Sequence, residues 1–573
     1  MSKLKKWILL VLVFLGIFSL IVLAAGAYLL SYEPVAEVRK GSVVEIVLSY
    51  AIEELPPESP IFSAFQGRLP NLLELGEVFQ HAARDDRVSA ILLEIHPLGW
   101  NWGQIEEVRD YVKQFRESGK AVHAFLAVDI GGEQELYLAS AADSITLNPG
   151  SGLLINGLVA EVTFFKGVIE KLKIQPEFIQ FKEYKSAEQY SREKLSPEIR
   201  EMLASILGNL EDRFVSTLAE ERQLEEETLR EIMTVGMLPA KLAHEKGLLD
   251  NLGYRHEIEE RLKFSEEGVE EYRGIPESRY LTAARNRYEN NSAHRVALLG
   301  GLGSIIAGRS KPLMNVVGGT TVSDQLRQIR EDDSVKGVIL RVNSPGGSAV
   351  GSDMIWKEVR RLEEAGKPVV VSMSGVAGSG GYYISMGARH IVAQPSTITG
   401  SIGVIFGKFD LQGFYGWLGV TVDRVKSFPN ADVLSALTSL SADQRKHIEN
   451  WMETIYEDFV RKAAEGRGLE YEDLEAKARG RIYTGEQARE LGLVDSLGGL
   501  RTAVNEMKKA LELGQDEQLE MVLYPKRKTL LEAALSGDLI KIAPPSLTGW
   551  FQQSLNRLAM PGPWLLAPDV NIN

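Results

Sequence analysis

The apolar positions of the chain fall into short runs separated by polar, amphipathic stretches. Val335 to Val342 is a β-branched run of strand length, the pattern of a strand buried on both faces. A glycine-rich turn follows it. The next amphipathic stretch ends at Gly366, where glycine suits the left-handed residue after a helix. Pro368 to Met373 reads as a second strand, Ser379 to Met386 opens another helix, and Ile391 to Ala393 is a third strand. Ala442 to Glu465 carries a longer helical pattern, and Glu177 to Phe181 is strand-like. Strands alternating with helices predict α/β layers with parallel pairing.

The pattern occurs twice. Asp85-Asp86-Arg87-Val88 aligns with Asp332-Asp333-Ser334-Val335 at a shift of 247. Gly119-Lys120 matches Gly366-Lys367 at the same shift, and Pro149 matches Pro395 at 246. Leu195-Ser196 matches Leu440-Ser441, Phe214-Val215 matches Phe459-Val460, and Gly247-Leu248 matches Gly492-Leu493, all at 245. Asp250 and Gly253 match Asp495 and Gly498. So steady a shift marks a diverged internal duplication. The polar stretch Arg285–His294, with Asn290-Asn291-Ser292, separates the copies. Residues after about 513 read as having no counterpart in the first copy. The expected organisation is an anchor over 1–31, repeats over 32–290 and 291–512, and an extension over 513–573.

The anchor rests on one run. Lys3, Lys5 and Lys6 precede an uncharged stretch from Trp7 to Leu30. As a helix it is about 36 Å long, enough to cross a hydrocarbon core of roughly 30 Å. Lysines on its N-terminal side favour a cytoplasmic start and a body on the other face. Ala25-Gly26-Ala27 resembles a signal cleavage site, but a signal core runs about 7–15 residues and this run is longer.

Composition narrows the chemistry. The 573 residues carry 64 basic and 78 acidic side chains, a net charge of −14, with no nucleic-acid footprint. The chain has no cysteine, which excludes disulfides, thiolate metal sites and a thiol nucleophile. The eight histidines form no metal-binding motif.

Two glycine turns of the second copy could support acyl transfer. Asn343-Ser344-Pro345-Gly346-Gly347-Ser348 follows a strand, and its backbone N–H groups could hold an oxyanion. Gly375-Val376-Ala377-Gly378-Ser379-Gly380-Gly381-Tyr382 sets a serine at a helix start. Ser379 could attack a carbonyl while the Gly380 N–H holds the oxyanion, or it could simply cap the helix. The first copy has Gly132 or Glu133 at the serine position and Gly99-Trp100 in place of Gly346-Gly347. The scaffold therefore folds without these parts. A serine nucleophile needs a base. His390 is not obviously near the serine, and a lysine serves only when burial lowers its pKa. Lys185, in Lys182-Glu183-Tyr184-Lys185-Ser186-Ala187, corresponds to Asn430 in the second copy. Read alone, it is a solvated surface lysine.

Taken together, these motifs resemble the signal peptide peptidase A (protease IV) family in its long, two-repeat form. Asn343–Gly347, Gly378–Tyr382, Pro395-Ser396 and Thr399-Gly400-Ser401-Ile402-Gly403 resemble its second-half motifs, and Tyr184–Ala187 its first-half lysine motif. The resemblance implies tandem crotonase/Clp-protease-like α/β repeats behind one transmembrane helix. It makes Ser379 the nucleophile, Lys185 the general base and Ser401 a positioner of the lysine, with Gly346 and Gly380 as oxyanion donors. It implies no metal or cofactor. It further implies a homotetramer on the outer face of the bacterial inner membrane that degrades released signal peptides and other apolar peptides. Two other readings are an exported crotonase-like acyl-transfer enzyme and an inactive membrane scaffold.

Overall fold

The computed structural model describes residues 37–56, 71–266, 268–287, 292, 294–311, 315–514, 517–525, 562–566 and 571–572. The apolar run Trp7–Leu30 lies outside these residues. Among the described residues no helix is long and apolar enough to cross a membrane.

The first repeat is built from β1 (Ser42–Leu48), α1 (Leu72–Arg84), β2 (Val88–Ile95), α2 (Trp102–Arg116), β3 (Ala121–Leu126), α3 (Glu133–Ala139) and β4 (Ser144–Leu147). It continues with β5 (Ala160–Glu161), β6 (Gln175–Phe181), α4 (Pro197–Arg222), β7 (Asn251–Leu252) and β8 (Gly274–Pro276). The second repeat begins with β9 (Arg295–Leu302), α5 (Gly319–Glu331), β10 (Val335–Ser344), β11 (Gly346–Ser348), α6 (Ala349–Glu364), β12 (Val369–Gly378) and α7 (Gly380–Ser385). There follow β13 (His390–Ala393), β14 (Ile398–Gly400), β15 (Val404–Asp410), α8 (Ala442–Arg467), β16 (Ile482–Thr484), β17 (Ser496–Leu497), α9 (Leu500–Ala510) and β18 (Glu520–Tyr524). Two last strands are β19 (Gly562–Leu566) and β20 (Asn571–Ile572).

The duplication is visible in the sheets. The first repeat's sheet runs β7-β4-β3-β2-β1-β8, all parallel. The second runs β17-β13-β12-β10-β9-β18, again all parallel, with β14 and β16 branching from β12. Each sheet packs its helices over its own apolar core, because strands covered on both faces must be apolar on both. One expectation needs correction. Residues beyond 513 do have a counterpart at their start, since β18 closes the edge beside β9 as β8 closes it beside β1. The match escaped sequence comparison because Gly274–Pro276 and Glu520–Tyr524 share no residue type.

A third sheet joins the repeats. β6 pairs antiparallel with β15 over seven residues, from Val404↔Phe181 to Asp410↔Gln175. A buried ion cluster does the same. Arg341 of β10 donates from Nε to Glu54 (2.8 Å) and from Nη1 to Ser372 (2.8 Å), and also pairs with Glu107 of α2. Glu54 further accepts from Gln104, Asn343 and Ser374 at 2.8, 2.7 and 2.6 Å. Burial alone would depress the Arg341 pKa, but Glu107 and Glu54 outweigh it and hold the guanidinium above its ordinary value. Removing the cation leaves two buried carboxylates uncompensated. Arg341→Met should therefore cost about 3–5 kcal/mol, read as a lower urea midpoint by circular dichroism; an unchanged midpoint would refute the joining role.

Candidate active site

Ser379 sits between β12 and α7. Its φ of 55° and ψ of −111° lie outside the regions an L-residue prefers. Two backbone bonds hold it there: its N–H donates to Gly400 O (2.8 Å), and Tyr383 N–H donates to its carbonyl (2.8 Å). The helix-capping role foreseen as the alternative is not taken, for its side chain makes no cap bond. Its hydroxyl accepts instead from Lys185 Nζ at 2.7 Å.

Lys185 follows β6, so the β6–β15 pairing carries a first-repeat residue into the second repeat. Its Nζ lies within hydrogen-bond distance of Ser379 Oγ, of Ser401 Oγ (2.8 Å) and of Ser401 O (3.0 Å). Ser379 and Ser401 are fully buried and Lys185 is 2% exposed. Burial alone drives the lysine pKa well below its ordinary value, with no carboxylate acting against it. The solvated reading of Lys185 is thus corrected: the neighbouring repeat encloses it. Ser401 also has a positive φ (53°) and is held by its N–H on Arg481 O (2.7 Å).

The lysine's enclosure depends on a residue that the sequence did not single out. Gly480 has φ +84°, and a Cβ there would lie 2.4 Å from the Lys185 backbone nitrogen. No motif surrounds it; only the fold brings Arg479-Gly480-Arg481 against Tyr184-Lys185. A second missed contact is the Asn343 side chain, which accepts from Val376 N–H (3.1 Å) and ties the two glycine turns together.

The first of those turns is partly a strand. Gly346–Ser348 form β11, whose Gly347 pairs with Ile305. Gly346 N–H points at Ser344 Oγ (3.1 Å). Gly380 N–H opens α7 and so has no acceptor within the helix. A Cβ at Gly380 would lie 3.0 Å from Gly346 Cα and 2.6 Å from Ser352 Oγ, so the two glycines lie against each other. His390 takes no part: its Nε2 lies 2.7 Å from Ser496 Oγ. In the first repeat, Gly132 occupies the position before α3 and its N–H donates to Glu135 (2.8 Å), an ordinary helix start.

Residues 114–270 and 361–514 match peptidase family S49, one match in each repeat. The chain belongs to that family. The serine protease SPPA of Arabidopsis thaliana chloroplasts is 32% identical over 88% of this chain and 74% of its own length. Protease 4 of Salmonella typhi is 33% identical over 83% of this chain and 77% of its own, and Protease 4 of Haemophilus influenzae is 30% identical over 86% and 81%. This S49 member is accordingly a serine protease acting on peptides, which sets aside the acyl-transfer and inactive-scaffold readings.

Gly380→Ala tests how tightly the two glycine turns must meet. The added methyl must displace Gly346 or Ser352; if the two glycine N–H groups hold an oxyanion, loss of one well-placed donor costs on the order of 10²-fold in kcat. Peptide hydrolysis should fall by about that factor while circular dichroism shows the fold kept, with a melting temperature lowered by no more than overpacking of about 1–3 kcal/mol accounts for. Retained turnover would show that neither glycine N–H is used.

Proposed function

We propose that Ser379 and Lys185 form a Ser-Lys dyad in which the lysine is the general base. The observation that carries this reading is the 2.7 Å contact between a buried amine and a buried hydroxyl with no carboxylate to keep the amine charged. A neutral Lys185 takes the Ser379 proton as Oγ attacks the scissile carbonyl. Ser401 positions the amine through its two contacts. The N–H groups of Gly346 and Gly380 stabilise the oxyanion, that of Gly346 exchanging Ser344 Oγ for the more strongly charged acceptor. Lys185 then returns the proton to the leaving amine, and water hydrolyses the acyl-enzyme.

Around this chemistry we place the wider assignment. The two repeats, 32–290 and 291–512, are crotonase/Clp-protease-like, and 513–573 extends the second. Residues 1–31 anchor the chain in the bacterial inner membrane, with the N-terminus cytoplasmic and the body extracytoplasmic. The substrates are signal peptides released from secretory precursors and other apolar peptides. Trp417, Leu418, Val425 and Phe428 are exposed on one segment and suit contact with the bilayer or with a neighbour in a homotetramer.

Ser379→Ala should abolish casein and peptide cleavage, by several orders of magnitude in kcat, without unfolding the protein. Near-normal turnover by the folded variant would sink the assignment. Lys185→Arg should also be inactive, since a guanidinium holds its proton at working pH.

The pH profile gives an independent reading. Protonation removes the base, so kcat/KM should fall as pH drops through the depressed Lys185 pKa and level off above it. An acid limb centred at about 10, the value of an ordinary lysine, would exclude a buried neutral base.

A further inference from the structure

Residues 478–481 form the turn that leads into β16, and they bond to the surroundings of both Ser401 and Lys185. On the second-repeat side, Arg481 O accepts from Ser401 N–H (2.7 Å) and Gly480 N–H donates to Ile402 O (2.8 Å). On the first-repeat side, Arg479 O accepts from Tyr184 N–H (3.2 Å), and a Cβ at Gly480 would lie 2.4 Å from Lys185 N. Gly403 walls the same lysine, since a Cβ there would lie 3.2 Å from its Cβ and its Cδ. The turn therefore covers the lysine stem, and outward movement of the turn would admit water to it.

The side chain of Arg481 fastens this turn to the first repeat. Its Nη1 and Nη2 donate to the two carboxylate oxygens of Glu201 on α4, at 2.7 and 2.8 Å. The guanidinium also lies 5.0 Å from the centre of the Tyr184 ring and 5.7 Å from that of Tyr483. One residue thus holds Ser401 by its backbone and the lysine-bearing repeat by its side chain. The other charged groups near the lysine are engaged in pairs of their own: Lys182 with Glu475 (2.9 Å), Glu183 with Arg479 (3.0 Å) and Glu188 with Arg192 (3.0 Å). On α7, burial keeps Tyr382 and Tyr383 neutral, and their hydroxyls bond to Leu493 O and Asp353. Burial likewise pushes Tyr483 up to about 12. The hydrogen bonds from Arg481 hold the Glu201 carboxyl below the usual carboxylate range, so it is ionised at neutral pH. Burial is the one cause of the low Lys185 pKa.

We infer that Arg481 is a positioning residue for the general base: paired with Glu201, it latches the turn 478–481 over Lys185 and keeps water from the amine. The inference rests on the Ser379–Lys185 reading above. Arg481 acts through the turn and touches neither the lysine amine nor the serine hydroxyl. The pair lies at the rim of the site, with the Arg481 and Glu201 side chains 20% and 56% exposed. Its parts can therefore be changed one at a time without cutting into either core.

The test is kcat/KM against pH for the full chain in detergent micelles, with a fluorogenic peptide that carries no titratable group. In Arg481→Ala, hydration of the amine favours its charged form, so the acid limb should move to higher pH by on the order of one unit. Below the limb this reads as about tenfold lower kcat/KM, and the loss should narrow towards the alkaline plateau. Arg481→Lys, which keeps a donor for Glu201, should fall between the two. Glu201→Gln separates the latch from a direct effect of charge. An unbalanced Arg481 cation would lower the lysine pKa, whereas a loosened turn raises it. The limb should again move to higher pH, by less than in Arg481→Ala. A limb that stays in place or moves to lower pH in either variant overturns the inference, and so does a loss by the same factor at every pH. In those cases a wild-type limb well below about 10 leaves the dyad standing. A wild-type limb at about 10 refutes the dyad reading and this inference with it.

Discussion

A lysine amine is neutral near neutral pH where burial disfavours its charged form and no carboxylate restores it. Much of this molecule can be understood from that constraint. Lys185 cannot be buried by its own repeat, where it follows a strand that has no sheet of its own to join. The second repeat supplies β15 as a partner, Ser401 as two acceptors and Gly480 as a close wall. Ser379 and Ser401, which the amine contacts, are themselves held at positive φ by backbone bonds to Gly400, Tyr383 and Arg481.

The cost of this arrangement is that two globular repeats must dock with little tolerance. Coupling through apolar surface alone would leave their register free to slide. Arg341 instead meets carboxylates from two different segments of the first repeat, and Glu54 is shared among four donor residues. Asn343 belongs to this cluster and also accepts from Val376 N–H. The docking contacts therefore reach the glycine turns beside Ser379, so inter-repeat register and site geometry are coupled.

The repeated strand–helix order was legible in the sequence because buried parallel strands are apolar along their whole length. The internal shift located the second copy's special parts by contrast: Ser379 faces Gly132, and Gly346-Gly347 faces Gly99-Trp100. Lys185 was not legible from its own surroundings. Lys182-Glu183-Tyr184-Lys185 looks like solvated surface, and the group that buries it lies some two hundred residues away; only the family resemblance singled it out. Gly480 and the Glu54 cluster gave no local signal either, because close approach and charge pairing between distant segments leave no periodicity. The edge strand β18 was missed because Glu520–Tyr524 and Gly274–Pro276 share no residue type, although both pair with the first strand of their repeat.

The long-range pairing of β6 with β15 also bears on biosynthesis. Lys185 is made early and Ser379 is made 194 residues later. At roughly 5–20 residues per second, a ribosome needs on the order of 10–40 s to pass from one to the other. Throughout that interval a growing chain holds a lysine without a serine. Even afterwards the lysine remains hydrated until Val404–Asp410 has emerged and paired. The Ser379–Lys185 contact can therefore form only after both repeats have been made.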